Sequence, residues 1–257
     1  VSGIWHLASG ILAMCTVTYI PRGTDQFILT SNRDEQAARS PKNITLWDEG
    51  SKHLLFPRDM GAGGTWIAVS NDNRLVCILN GAFERHVRKP AYRLSRGIMA
   101  LQFFNYPNAT NFFTNFDFLG IEPFTMVMYD RGKLYELRWD EVQIHPKLLN
   151  VNDFHIWSSA TLYDDIHQKK REQWFTRWHT GRDDFSQSAI LHWHHTAGEG
   201  DPWNDVIMNR NNMVQTVSVT SIEKAVETAQ MLYHDLVHGQ TKQAGLKLNK
   251  SLVGMME

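Results

Sequence analysis

A thiol attacks only as thiolate, so each of the two cysteines in this chain matters for what could take its proton. Cys77 lies in the apolar run Leu75-Val76-Cys77-Ile78-Leu79, the setting of a buried and inert thiol. Cys15 directly follows Met14. With residues 1–13 read as a leader or upstream extension and Met14 as the biological start, removal of Met14 makes Cys15 the first residue. Its own α-amine, with an ordinary pKa of about 7.7 to 8, can then accept the thiol proton without a histidine partner.

The polar run Asn32-Arg33-Asp34-Glu35 follows an apolar stretch and precedes Arg39-Ser40-Pro41. Read alone, it is a solvated turn. The same charges would also suit a strand end where a carboxylate holds an α-ammonium and a guanidinium lowers a thiol pKa. Read alone, Asn80-Gly81 fits a turn, and Gly61 to Gly64 a loop that needs positive φ. That glycine spacing matches neither a P-loop nor a dinucleotide fingerprint. Ser158-Ser159 lacks the Gly-x-Ser-x-Gly frame of a serine nucleophile and reads as a polar strand end. His192-Trp193-His194-His195, with His179 upstream, is the one cluster that invites a metal. Its i, i+2, i+3 spacing does not bring three rings to one helix face, so a solvated histidine-rich loop and no bound metal are expected. Arg210 and Thr216 are expected as surface and strand residues.

With 26 basic against 27 acidic side chains there is no global field for nucleic acid or an acidic membrane, which leaves a small-molecule ligand or substrate as the expected partner. Nine Trp and thirteen Phe can fill a large core, so an aromatic does not by itself mark a site. Two cysteines argue against a disulfide scaffold or a cysteine-based zinc site and favour a reducing, cytoplasmic compartment. The apolar stretch 4–13 is too short to span a bilayer and has no basic n-region ahead of it, although such an extension leaves export open. No transmembrane helix is expected later in the chain.

The elements that must position these residues begin as hairpins. Segments 15–20 and 26–31 flank the turn residues of 21–25, 65–70 and 74–80 flank Asn71-Asp72-Asn73, and 124–129 and 133–139 flank Asp130-Arg131-Gly132. Helical spacing appears over 92–104, where Leu94, Ile98, Leu101 and Phe104 align. It appears again over 164–179, where Ile166, Trp174, Phe175 and Trp178 share a side, and a further helix is expected over 185–193. Segments 213–222 and 229–236 read as a last strand pair, followed by a polar tail from Gly239. Hairpins interrupted by helices fit an α+β arrangement of two packed antiparallel sheets, with residues 14–257 as a single domain.

Met14-Cys15-Thr16-Val17, Ser31-Asn32-Arg33-Asp34-Glu35 and Arg39-Ser40-Pro41 together resemble the N-terminal signature of the NRDE-domain family, the family of transport and Golgi organisation protein 2. Asp59-Met60-Gly61-Ala62-Gly63-Gly64-Thr65-Trp66, Leu79-Asn80-Gly81, Tyr92 with Ser95-Arg96-Gly97, Trp157-Ser158-Ser159-Ala160 and Thr216-Val217-Ser218-Val219-Thr220 extend the resemblance over nearly the whole chain after Met14. The resemblance implies an N-terminal-nucleophile hydrolase-like fold, a four-layer αββα sandwich of two mainly antiparallel sheets. It implies Cys15 as nucleophile, Asp34 as anchor of the α-amine, Arg33 beside the thiol and Asn80 as oxyanion donor, with a backbone N–H from Gly81 or Gly64. Asn32, Gly64, Trp66, Gly81 and Ser159 become expected substrate contacts. Two functions are compatible with it: an amidase acting on a small amide through a covalent acyl-enzyme, needing no cofactor, or a non-catalytic carrier in haem or lipid handling and membrane traffic. Thiolate and imidazole both ligate haem iron, so the same residue types could serve a carried haem.

Overall fold

The structure, a computed structural model, describes residues 14–161 and 163–249; the leader expected at 1–13 lies outside them. Strands β1 (Met14–Gly23) and β2 (Gln26–Glu35) form the first hairpin, with Asp25 at a positive φ of 56° in its turn. β3 (Ile44–Glu49), β4 (Lys52–Pro57), β5 (Ile67–Ser70) and β6 (Arg74–Asn80) follow, then the short helices α1 (Arg96–Gln102) and α2 (Ala109–Asn115). β7 (Phe124–Asp130), β8 (Lys133–Trp139), β9 (Ile144–Leu149) and β10 (His155–Ser158) lead to α3 (Asp165–His179) and α4 (Gln187–Thr196). A short β11 (Asn209–Arg210) precedes β12 (Val214–Lys224), β13 (Thr228–Asp235) and β14 (Gln240–Lys247).

These strands make two sheets in which every pairing is antiparallel. The first runs β10-β1-β2-β12-β13-β14, with β11 beside β12, and the second runs β3-β4-β5-β6-β7-β8-β9. Alternation along each strand gives both sheets two apolar faces. Val17, Phe27, Leu29 and Tyr233 of the first sheet share a core with Leu54, Cys77, Val127 and Tyr129 of the second, and that core continues into Met99 and Phe103 at α1. On the far side of the first sheet, Ile20 and Ile28 pack under Trp174 and Phe175 of α3 and Ile190 and Trp193 of α4. Helix, sheet, sheet, helix is thus the layer order, the α+β sandwich expected from the sequence.

Several boundaries differ from expectation for local reasons. The helix expected over 92–104 begins at Arg96, because the Ser95 side chain accepts from Ile98 N–H and caps it, while Leu94 bridges to Ile121. Asp164 and Ser186 cap α3 and α4 in the same way. The histidine-rich segment is no solvated loop: α4 carries it to Thr196, and His194 is wholly buried. Ile166, expected on the apolar side of α3, is exposed, whereas Arg171 is buried there. The polar tail includes β14, which pairs along its length with β13. Among the described residues no helix is long and apolar enough to cross a membrane.

Candidate active site

Strand β2 does not end where its apolar residues end. The pairing Cys15↔Arg33 and Met14↔Asp34 carries it through the whole Asn32–Glu35 run, so these charges are strand residues and not a turn. Successive residues therefore point to opposite faces. Cys15 and Arg33 face a cavity of about 350 Å³, which Gly64, Trp66 and Asn80 also line. Asn32 and Asp34 face the other way, beneath α3 and α4.

On the cavity side the Arg33 guanidinium lies 4.3 Å from the Trp66 ring centre and ion-pairs with Asp59. Asp59 in turn holds Arg39 at 2.9 Å and accepts from Gly61 N–H at 2.8 Å and Ala62 N–H at 2.7 Å. Burial works to raise the Asp59 pKa, but Arg33, the Ala62 N–H and Arg39 outweigh it and hold the carboxylate below its usual range. Glu35 closes the ring of charges with an ion pair to Arg39. The glycines after Asp59 let the main chain approach α1: a methyl group on Gly64 would collide with the Gly97 backbone, and one on Gly97 would fall 2.8 Å from Thr65 O. Gly64 thereby holds the Thr65-Trp66 segment against α1 as well as lining the cavity.

Asn80 reaches the cavity at the end of β6. Gly81, at a φ of 81°, gives its N–H to Pro123 O at 3.0 Å and packs against Thr161, so of the two glycines expected near the oxyanion, Gly64 is the one on the cavity wall. Ser159 is fully buried; its Oγ donates to Asn80 O at 2.7 Å and its N–H to Cys15 O at 3.1 Å. Its place is to tie the Asn80 strand end to the Cys15 strand, outside the cavity lining.

Across β2, Asn32, expected as a substrate contact, does not line the cavity. Its Nδ2 donates to His194 O at 3.1 Å and Val206 O at 2.9 Å, its Oδ1 meets His194 Nδ1, and Thr18 Oγ1 lies 2.8 Å from His194 Nε2. Burial pushes the His194 imidazole down to about 3, so it is neutral and binds α4 to the sheet. Asp34 accepts from Thr216 Oγ1 at 2.5 Å, and Thr216, expected only as a strand residue, is thus its partner. The other carboxylate oxygen, Oδ2, is buried beside the Tyr163 hydroxyl; the two make no well-formed hydrogen bond, although Tyr163 still helps to lower the Asp34 pKa. Burial raises the Asp34 pKa to about 7, against the opposing pull of Thr216 and of Arg171 and Arg210 nearby.

Cys15 itself is 5 % exposed. Burial pushes its thiol well above the ordinary value, Cys77 and Asp34 add to the rise, and Arg33 offsets only part of it. Among the described residues no histidine lines the cavity, so no imidazole is at hand to take the proton.

The family model described as Transport and Golgi organisation 2 matches residues 14–246. The chain belongs to that family. No curated protein matches the sequence. Among solved structures, a point variant of conjugated bile acid hydrolase from Clostridium perfringens is similar with a TM-score of 0.51 at 10% identity, covering 93% of this chain and 98% of that one. A second point variant of the same hydrolase gives 0.46 at 10% identity, covering 91% and 98%. The first likeness establishes the N-terminal-nucleophile hydrolase-like fold for this member of the transport and Golgi organisation 2 family, and the fold alone. Sequence reading left out much of the wall: Arg39 and Asp59, and farther along Tyr92, Arg96 and Glu122. Asp59, Tyr92 and Arg96 all stand in segments that resemble the family without a role attached to them; Glu122 carried no signal.

Proposed function

We propose that this protein is a cysteine N-terminal-nucleophile hydrolase that cleaves a small amide through an acyl-enzyme on Cys15. The observation that carries this reading is the register of β1 on β2: Cys15 stands opposite Arg33 on the cavity side, and Met14 stands opposite Asp34, whose second oxygen is buried without a well-formed hydrogen bond. With Met14 removed, the Cys15 α-amine takes its place beside that carboxylate and becomes the ammonium that pairs with it on accepting the thiol proton. An unpaired buried carboxylate is costly, and an ammonium there satisfies it.

The α-amine then accepts the Cys15 thiol proton, and the thiolate attacks the substrate carbonyl. Asn80 donates its side-chain amide to the resulting oxyanion, a contribution of roughly 3 to 4 kcal/mol where such donors have been removed. Collapse breaks the C–N bond, the ammonium returns its proton to the leaving amine, and a thioester remains on Cys15. Water, deprotonated by the same α-amine, attacks the thioester, releases the carboxylic acid and restores the thiol. The raised thiol pKa supports the need for this internal base. A carried haem has less support, since the described histidines 192, 194 and 195 belong to α4 on the far side of the first sheet and not to the cavity.

The test is to prepare the chain beginning at Cys15, the chain that retains Met14, and a Cys15→Ala variant, and to incubate each with a panel of N-acyl amides. Released amine and a hydroxylamine-labile acyl adduct on Cys15 are expected from the first protein alone. Turnover that survives in Cys15→Ala would sink the assignment.

A further inference from the structure

The cavity carries more positive charge than its proposed chemistry uses. Five cations line it, Arg33, Arg39, Arg88, Lys89 and Arg96, against three carboxylates, Glu35, Asp59 and Glu122, in a chain whose overall charge is −1. Arg33 and Arg39 are balanced by Glu35 and Asp59. The other three cations are Arg96, at the start of α1, and Arg88 and Lys89 on residues 81–95, a segment without helix or strand apart from the bridge of Leu94 to Ile121. Glu122 is its anchor: Arg96 lies 3.1 Å away, His86 3.2 Å and Arg88 3.7 Å, so one carboxylate is shared by two guanidiniums and an imidazole. Arg96 is further fixed by donating to Pro123 O at 2.9 Å. Lys89, which also lines the cavity, pairs its ammonium with Glu141, 3.1 Å away and outside the lining, an exposed ion pair that a ligand anion can compete for.

Hydrogen-bond donors dominate the same space. Trp66 is 5 % exposed, lines the cavity, and its indole Nε1–H has no acceptor. The Tyr92 hydroxyl accepts from Lys89 N–H at 3.0 Å and keeps its own proton to donate. A buried donor without an acceptor is costly unless a ligand supplies one.

We infer that the cavity binds an organic anion, and that the substrate class is an amide bearing a carboxylate or a group of like charge, held by Arg88, Lys89 and Tyr92 with Arg96 behind them. The subsite rests on the hydrolase reading only for the word substrate; anion binding stands without it.

The experiment uses Cys15→Ala protein, so that no probe is consumed, and measures binding of N-benzoylglycine and of its neutral carboxamide by calorimetry. The acid is expected to bind saturably and at least about tenfold more tightly than the carboxamide, a difference of about 1.4 kcal/mol. Added salt should narrow that gap. Arg88 and Lys89 are exposed side chains, so an Arg88→Gln, Lys89→Gln double variant should fold normally; it should lose the preference for the acid and leave the carboxamide unaffected. Equal binding of the two probes, no binding of the acid, or an unchanged preference in the double variant overturns the inference. Charge-selective binding by a protein that turns over no amide would keep the anion site and remove the hydrolase; amide turnover indifferent to charge would do the reverse.

Discussion

Asp34 shows how a single residue can report on the state of the N-terminus. Its pKa, raised by burial from 3.8 to about 7, means the folded protein binds this proton more tightly than the unfolded chain does. The associated stability is therefore complete below about pH 4 and lost as the pH rises through about 7. In the chain that retains Met14, the protein should lose roughly 2 to 4 kcal/mol more between pH 4 and pH 8 than its Asp34→Asn variant does, read by urea unfolding at each pH. His194, held down to about 3 by burial, acts in the opposite sense, losing its stability as pH falls below 6.5. It is common to both proteins and cancels in the difference. In the chain that begins at Cys15, the α-ammonium should shrink that difference sharply; an equal slope in both chain forms would mean that Asp34 does not meet the amine.

At the scale of elements, the glycine-rich segment is where packing can be tested. Gly64 meets Gly97 backbone to backbone, so Gly64→Ala forces β5 and α1 apart and should cost roughly 2 to 4 kcal/mol by thermal or denaturant unfolding. Gly132 has a positive φ of 93° but open space around it, so Gly132→Ala should cost only about 1 kcal/mol from backbone strain. Similar losses at the two positions would argue against a tight crossing. The sequence announced the Gly61–Gly64 loop by its glycines, but not that one of them faces another helix, since Gly97 lies 33 positions away. The same divide runs through the other elements. Hairpins with Asn73 or Arg131-Gly132 at their turns were legible because positive φ demands such residues. β3 and β9 were not: as outer strands of their sheet they leave Leu46, Trp47 and Leu148 exposed, which blurs the apolar alternation. The Asn32–Glu35 run looked like a turn because polarity usually means solvent, and here each charge is buried against another element. Period-two alternation within β2 separates Arg33 from Asp34, and only the register on β1 shows which of them shares a face with Cys15.

Across the whole molecule, the two sheets are joined by one continuous apolar layer. The first sheet is assembled from the two ends of the described chain, β2 pairing with β12 across the whole of the second sheet's stretch of sequence. Such long-range pairing, with a shared interior from Val17 and Tyr233 to Cys77 and Val127, should make unfolding one cooperative event. The two cysteines offer a built-in probe, because Cys15 belongs to the first sheet and Cys77 to the second, and both are buried. Pulse alkylation across a urea series, with each site read by peptide mass, should give the same midpoint for both thiols, and that midpoint should match the loss of far-ultraviolet circular dichroism. Separate midpoints would show that the sheets open independently; the cavity, whose walls come from both, would then dissolve before the fold does.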